Sequence, residues 1–114
     1  MSPRASAVRR EGAATVFAAL GDRTRLRLVT RLCEDGPLSI SRLSDGADVT
    51  RQAITKHLNA LADAGVVRGT RHGRERIWEL QPKRLEVARR YLDDVSAQWD
   101  AAIDRLKAFV EDDS

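Results

Sequence analysis

Between residues 38 and 80 the chain sets two short helical patterns, a break and a polar hairpin in immediate succession. Few folds accept that order. In Ser39-Ile40-Ser41-Arg42-Leu43-Ser44-Asp45, Ile40 and Leu43 share one helical face with the following Ala47. Gly46-Ala47-Asp48-Val49 interrupts that pattern, and Thr50-Arg51-Gln52-Ala53-Ile54-Thr55-Lys56-His57-Leu58 begins the second. Val66-Val67-Arg68-Gly69-Thr70-Arg71, a turn at His72-Gly73 and Arg74-Glu75-Arg76-Ile77-Trp78-Glu79-Leu80 read as a two-stranded wing. The whole is the pattern of a winged helix-turn-helix, with polar residues where a duplex would be touched.

The flanking sequence completes a mainly α chain with one small β-hairpin, in the order ααααββα. Ala13, Val16, Phe17 and Leu20 recur at helical spacing and predict a first helix over about residues 10–20, ended by Gly21. Asp22 suits the N-cap of a second helix, whose stripe runs through Leu26, Val29 and Cys33 with Leu28 and Leu32 beside it. Asp35-Gly36-Pro37 stops that helix, and a short strand fits near Pro37-Leu38. Thr50 is a natural N-cap for the fourth helix, and Ala64-Gly65 supplies its stop. On the wing, Trp78 and Leu80 share a strand face with Arg76 nearer the turn. Pro82 opens a last helix that continues without interruption to about Val110.

At 114 residues this is one domain. Residues 1–10 read as a flexible basic lead, 11–110 as the domain with a C-terminal dimerisation helix over 83–110, and 111–114 as an acidic tail. Residues 1–82 hold fourteen Lys and Arg against nine Asp and Glu, whereas residues 83–114 hold six against eight. A basic body with an acidic last helix suits a polyanion on one side and a protein partner on the other. The lone Cys33 rules out an internal disulfide framework and fits a reducing cytoplasm. No apolar run approaches the roughly 18 residues of a membrane span, and residues 1–10 lack the apolar core of a secretory signal. No membrane partner is expected.

With Ile54, Leu58 and Leu61 on the buried stripe of the fourth helix, Gln52, Thr55, Lys56 and Asn59 fall on its exposed side. Entering a major groove N-terminus first, Gln can bond adenine, Lys can donate to guanine, and Thr can bond a base or touch a thymine methyl. Thr50 and the helix N-terminus favour phosphate, and Arg51 on the flank suits the backbone. Arg71, His72, Arg74 and Arg76, with Arg68 on the incoming strand, concentrate positive charge at the wing and suit phosphate or a narrow minor groove. Double-stranded DNA is the expected partner.

The last helix predicts a second partner. Leu85, Leu92, Trp99 and Leu106 are spaced by seven, as are Ala88, Val95, Ala102 and Phe109, which makes an a/d seam. A helix over residues 83–110 is ~42 Å long, more than a winged domain of this size covers. Part of the stripe packs on the first helix and the remainder meets a second copy. The expected dimer surface is Val16, Phe17, Leu85, Leu92, Val95, Trp99, Ile103 and Leu106.

Metal, cofactor and catalytic chemistry find little support. His57 lies at the edge of the buried stripe and suits a packed or backbone-bonded imidazole, and His72 approaches phosphate or solvent. Neither has a second ligand at a recognised spacing, and Cys33 reads as a small buried apolar group. No glycine-rich phosphate loop and no Ser, His and acid arrangement is present, so no cofactor and no enzyme activity is expected.

Ala19-Leu20-Gly21-Asp22-Arg23-Thr24-Arg25-Leu26-Arg27-Leu28 resembles the opening motif of the ArsR family of bacterial transcriptional repressors. Ala53-Ile54-Thr55-Lys56-His57-Leu58-Asn59-Ala60-Leu61, then Ala64-Gly65-Val66-Val67, resembles its recognition-helix signature. Gly73-Arg74 and Trp78-Glu79-Leu80 are similar to its hairpin, and the likeness spans roughly residues 13–106. The resemblance implies a homodimer built from first and last helices, with two recognition helices on an inverted repeat. It also implies two metal sites that this chain departs from. Ser39 and Ser41 stand where the arsenic- and cadmium-type sensors carry cysteines, and the last helix has no histidine for a zinc or nickel site. The chain is most similar to the metal-independent branch, whose last helix often carries a tryptophan near the place of Trp99. Nothing in the residues names an effector. Two other readings stay open: a winged-helix protein-interaction module without DNA, and a thiol or metal sensor acting through Cys33.

Overall fold

Ile54, Leu58 and Leu61 repeat at intervals of four and three, which puts them on one side of a helix, and all three are sealed from solvent. Around them the core gathers Val16, Leu28, Val29, Leu32, Leu43, Val66, Val67 and Trp78. The computed structural model describes the backbone of residues 3–112 and the side chains of residues 10–112. The elements run α1 (Pro3–Leu20), α2 (Arg23–Asp35), β1 (Leu38–Ser39), α3 (Ile40–Ser44), α4 (Arg51–Asp63), β2 (Val67–His72), β3 (Glu75–Leu80) and α5 (Pro82–Asp112). This is the mainly helical winged architecture expected from the sequence, with the short strand before α3 included.

Helices α2, α3 and α4 each start with a side-chain cap that satisfies an otherwise free backbone N–H. The Asp22 carboxylate accepts from Arg25 N–H at 3.0 Å, Ser39 Oγ from Arg42 N–H at 3.3 Å and Thr50 Oγ1 from Ala53 N–H at 3.1 Å. At the far end of α4, Gly65 N–H reaches Ala62 O and Val66 N–H reaches Leu61 O, both at 2.9 Å. That Schellman pair requires a left-handed residue, supplied by Gly65 at φ 77°.

The sheet order is β1-β3-β2, antiparallel throughout. Trp78 lies opposite Leu38 on one side and Gly69 on the other, and is 2% exposed. The hairpin turn is Gly73-Arg74, one residue later than the expected His72-Gly73, because His72 pairs with Glu75. Gly73 takes φ 64° as the first of two loop residues, the arrangement of a type II′ turn.

Several expectations need correction. Helix α1 begins at Pro3 rather than near residue 10, so residues 3–10 are helical where a flexible lead was expected. Proline fits a first helical turn, and the Ala- and Arg-rich stretch behind it favours helix. At the other end α5 continues through Glu111 and Asp112, whereas Met1, Ser2, Asp113 and Ser114 lie outside the described residues. Cys33 is exposed rather than buried. The buried face of α2 is Leu28, Val29 and Leu32, which leaves Leu26 51% exposed and carries Cys33 out to solvent.

Helix α5 packs its first third on α1: Ala88 is buried and Phe17 meets Tyr91 with ring centroids 6.0 Å apart. Beyond that the helix projects. At 31 residues it is about 46 Å long, which accounts for the 67 × 33 × 20 Å dimensions of the molecule.

Candidate nucleic-acid interface

Helix α4 turns its apolar stripe inward and its polar side out. Arg51, Gln52, Lys56 and Asn59 are exposed and Thr55 is half-buried. Gln52, Thr55, Lys56 and Asn59 follow one another at intervals of three, one and three, so they occupy one face. Gln52, Lys56 and Asn59 make no side-chain hydrogen bond or ion pair among the described residues. The Thr55 hydroxyl donates to Arg51 O at 3.0 Å.

The angle of α4 is set by contacts that sequence patterns do not reveal. Arg25 of α2 donates through Nε to Ala19 O at 2.6 Å, and its Nη1 lies 3.3 Å from His57 Nδ1. The Asp22 carboxylate lies 3.8 Å from the same nitrogen. His57 therefore ties α4 to the junction of α1 and α2 through side chains, not through a backbone bond, and takes no part in the outward face. The Asp22 carboxyl is held below its ordinary value of 3.8, first by the Arg25 backbone N–H, while partial desolvation opposes the shift. Arg27 donates to Gly46 O at 3.0 Å and Arg31 to Arg42 O at 2.7 Å. These two guanidiniums hold the end of α3 and the turn that leads into α4, adding to the bond that Asp45 N–H gives Arg42 O at 3.3 Å.

The wing divides its side chains between two faces. On one, Gly69, Arg71, Arg74 and Arg76 line an open depression of about 470 Å³. Arg71 and Arg76 stand directly opposite across the ladder, an unfavourable juxtaposition of like charges in the protein alone. The Arg76 guanidinium sits over the Trp78 ring, 4.9 Å from its centroid. Gly69 makes that possible, since a Cβ there would come within 2.7 Å of Arg76 Nε and 3.1 Å of the Trp78 ring. Arg68 lies on the other face, ion-paired with Glu79 at 2.7 Å, so it adds no free charge to the cluster. His72 shares that face and bonds the Thr70 hydroxyl at 3.3 Å, apart from Arg71 and Arg76. The sequence grouped all of them because strand alternation separates them only once the register is known.

The expected dimer surface divides as well. Val16 is 0% exposed inside the protomer, and Phe17 and Leu85 pack against the core, so α1 already covers this part of the seam. Leu92, Val95, Trp99, Ile103 and Leu106 remain exposed, Trp99 at 66%. Phe109 and Val110 continue the strip.

At the two positions matched to metal-site cysteines, Ser39 is 8% exposed and engaged as the α3 cap, whereas Ser41 is exposed. Among the described residues no group of three or more His, Cys, Asp or Glu is disposed to hold a metal ion. No described helix is long and apolar enough to cross a membrane.

Comparison with known proteins agrees with this geometry. A family model described as a helix-turn-helix domain matches residues 20–70. The HTH-type transcriptional regulator YuzN of Bacillus subtilis is 40% identical over 68 residues, 54% of this chain and 74% of that protein. The HTH-type transcriptional regulator Rv2034 of Mycobacterium tuberculosis is 37% identical over 77 residues, 68% of this chain and 71% of that protein. Among solved structures, an ArsR-like transcriptional regulator from Rhodococcus sp. RHA1 superposes with a TM-score of 0.72 at 37% identity, covering 88% of this chain and 93% of that one.

Proposed function

We propose that this chain, which belongs to the ArsR family of winged helix-turn-helix transcriptional regulators, acts as a homodimeric repressor on an inverted-repeat operator. It is a DNA-binding transcriptional regulator; the proposal concerns how it binds, in what assembly and with what signal. Helix α4 enters the major groove, where Gln52, Thr55, Lys56 and Asn59 read bases. Thr50 and Arg51 at its start, with Arg71, Arg74 and Arg76 on the wing and His72 at its tip, neutralise phosphates or enter the minor groove. The observation that carries the reading is the row Gln52, Lys56 and Asn59, exposed at the entrance of α4 with no partner among the described residues.

The exposed strip of α5 supports the dimer. Leu92, Val95, Trp99, Ile103 and Leu106 form an apolar surface along a projecting helix, and a second copy covers it. Phe17 and Leu85 border that surface, whereas Val16 serves the core. Two α4 helices related by a two-fold axis read two half-sites, and repression follows from occupying a promoter. Metal is not the signal, because Ser39 caps α3 and the last helix offers no histidine. A DNA partner and an unpaired thiol support a cytoplasmic protein, and the reading assigns it no catalytic step and no cofactor.

The test is a salt titration of alanine variants on the preferred duplex and on random duplex. Gln52→Ala or Lys56→Ala costs about 1–3 kcal/mol on the preferred duplex and relaxes one position per half-site. Arg74→Ala weakens binding to all sequences and lowers the salt slope by about one for each phosphate it no longer neutralises. Equal losses on both duplexes for Gln52→Ala and Lys56→Ala contradict base reading by α4.

A further inference from the structure

Helix α2 carries Arg23, Arg27 and Arg31 at intervals of four, one stripe along a single face. This stripe forms one wall of a cleft of about 260 Å³, and the other wall is Ala47, Asp48 and Val49 of the turn that precedes Thr50. The three guanidiniums are not equally occupied. Arg31 is bound to Arg42 O and paired with Asp35 at 3.8 Å. Arg27 gives one Nη2 proton to Gly46 O and keeps the others. Arg23 is exposed and has no partner among the described residues. At the start of α2 the Asp22 carboxylate already accepts from Arg25 N–H and sets a negative charge there, so an anion here is drawn to guanidinium rather than to the helix end.

We propose that Arg23 and Arg27 form an additional phosphate-binding patch that grips the DNA backbone beside the N-terminus of α4. The inference rests on the reading of α4 as the groove-entering helix and extends it to residues outside α4 and the wing. Three observations converge on it. First, Val49, the residue before the α4 N-cap, lines the cleft, so the cleft borders the start of α4. Second, the turn carries Asp45 and Asp48, both exposed and without a partner among the described residues, next to where phosphates would lie. Unopposed, those carboxylates would repel the backbone, and Arg23 and Arg27, two charges against two, cancel that repulsion. Third, the floor of the cleft is closed: Leu28 is 3% exposed, Leu43 2% and Ile54 0%. A phosphodiester oxygen needs only the guanidiniums at the rim and no deeper cavity, whereas a small organic anion would also lean on the apolar lining, and the experiment separates the two. Because Arg27 also holds Gly46 O, a phosphate bound there bears on the same turn that orients α4.

The experiment measures duplex binding against salt for Arg23→Ala, Arg23→Lys, Asp48→Asn and, as reference, Arg74→Ala. Arg23→Ala should lower the salt slope by ~0.9 per protomer, ~1.8 for a dimer, equally on preferred and random duplex. Arg23→Lys should restore most of the slope, and Asp48→Asn should raise affinity for every sequence. If Arg74→Ala lowers the slope and Arg23→Ala does not, the patch is refuted while the interface of α4 and the wing stands. If the wild-type protein binds no duplex at all, the underlying reading fails first. A benzoate titration followed by amide chemical shifts adds a separate arm. Saturable shifts around Arg23 and Val49, with an unchanged slope for Arg23→Ala, would make the cleft a small-anion site and overturn the proposal.

Discussion

Replacing Trp99 by alanine isolates the proposed dimer seam from the fold of the protomer. The ring is 66% exposed and belongs to the projecting part of α5, beyond the region covered by α1. A tryptophan offers about 200 Å² for burial, so roughly 130 Å² of it stands free in one protomer. At about 25 cal/mol per Å² that surface is worth roughly 3 kcal/mol when covered, and two-fold symmetry counts it twice, for an upper limit near 6 kcal/mol. Partial coverage in the dimer brings the loss to roughly 3 kcal/mol, about a hundredfold in dissociation constant. Sedimentation equilibrium across a concentration series reads the dissociation constant directly. Asp104→Asn, an exposed polar position on the same helix, serves as the control, and circular dichroism checks that helix content is kept. If Trp99→Ala stays within about tenfold of the wild-type constant, less than about 1.4 kcal/mol, a second copy does not cover this strip.

Gly65→Ala should destabilise the protein by more than about 1 kcal/mol, since φ 77° is strained for alanine and its Cβ would come within 2.8 Å of Arg84 Cγ. An unchanged denaturant midpoint would refute this. Asp22 has a lowered carboxyl pKa, so its contribution is present above about pH 4 and is lost as pH falls through the depressed folded value. Wild-type protein should therefore lose stability below about pH 4 more steeply than Asp22→Asn, and parallel acid-unfolding curves would count against the Asp22 cap. Cys33→Ser should change stability by less than about 0.5 kcal/mol because the thiol is exposed. Zinc, cadmium and arsenite should leave duplex affinity unchanged, and one metal per protomer, lost in Cys33→Ser, would contradict that.

What the sequence made legible was local. The cap at Thr50, the stop at Gly65 and the inward stripe Ile54, Leu58 and Leu61 all follow from short-range chemistry, and the structure has them where the residues put them. The turn falls one residue later than expected because both His72-Gly73 and Gly73-Arg74 put a glycine in a tight loop. Only the pairing of His72 with Glu75 decides between them. Cys33 and Val16 depart from expectation for a tertiary reason: helical spacing identifies a stripe but not which neighbour covers it. Helix α2 rotates Leu28, Val29 and Leu32 inward, and Val16 is sealed within the protomer's own core. The polar supports of the site, Arg25 to His57 and Arg27 to Gly46, join residues 32 and 19 positions apart. No periodicity announces such contacts.

Selection from a randomised duplex library tests the central claim most directly. The protein is incubated with the library, the bound fraction is recovered and sequenced, and enrichment is compared with that of Gln52→Ala and Lys56→Ala. The expected product is an inverted repeat with half-site centres about one helical turn apart, ~10 base pairs, or a multiple of that. Each variant should relax one position in both half-sites. Absence of enrichment, or an enriched site without two-fold symmetry, would contradict it.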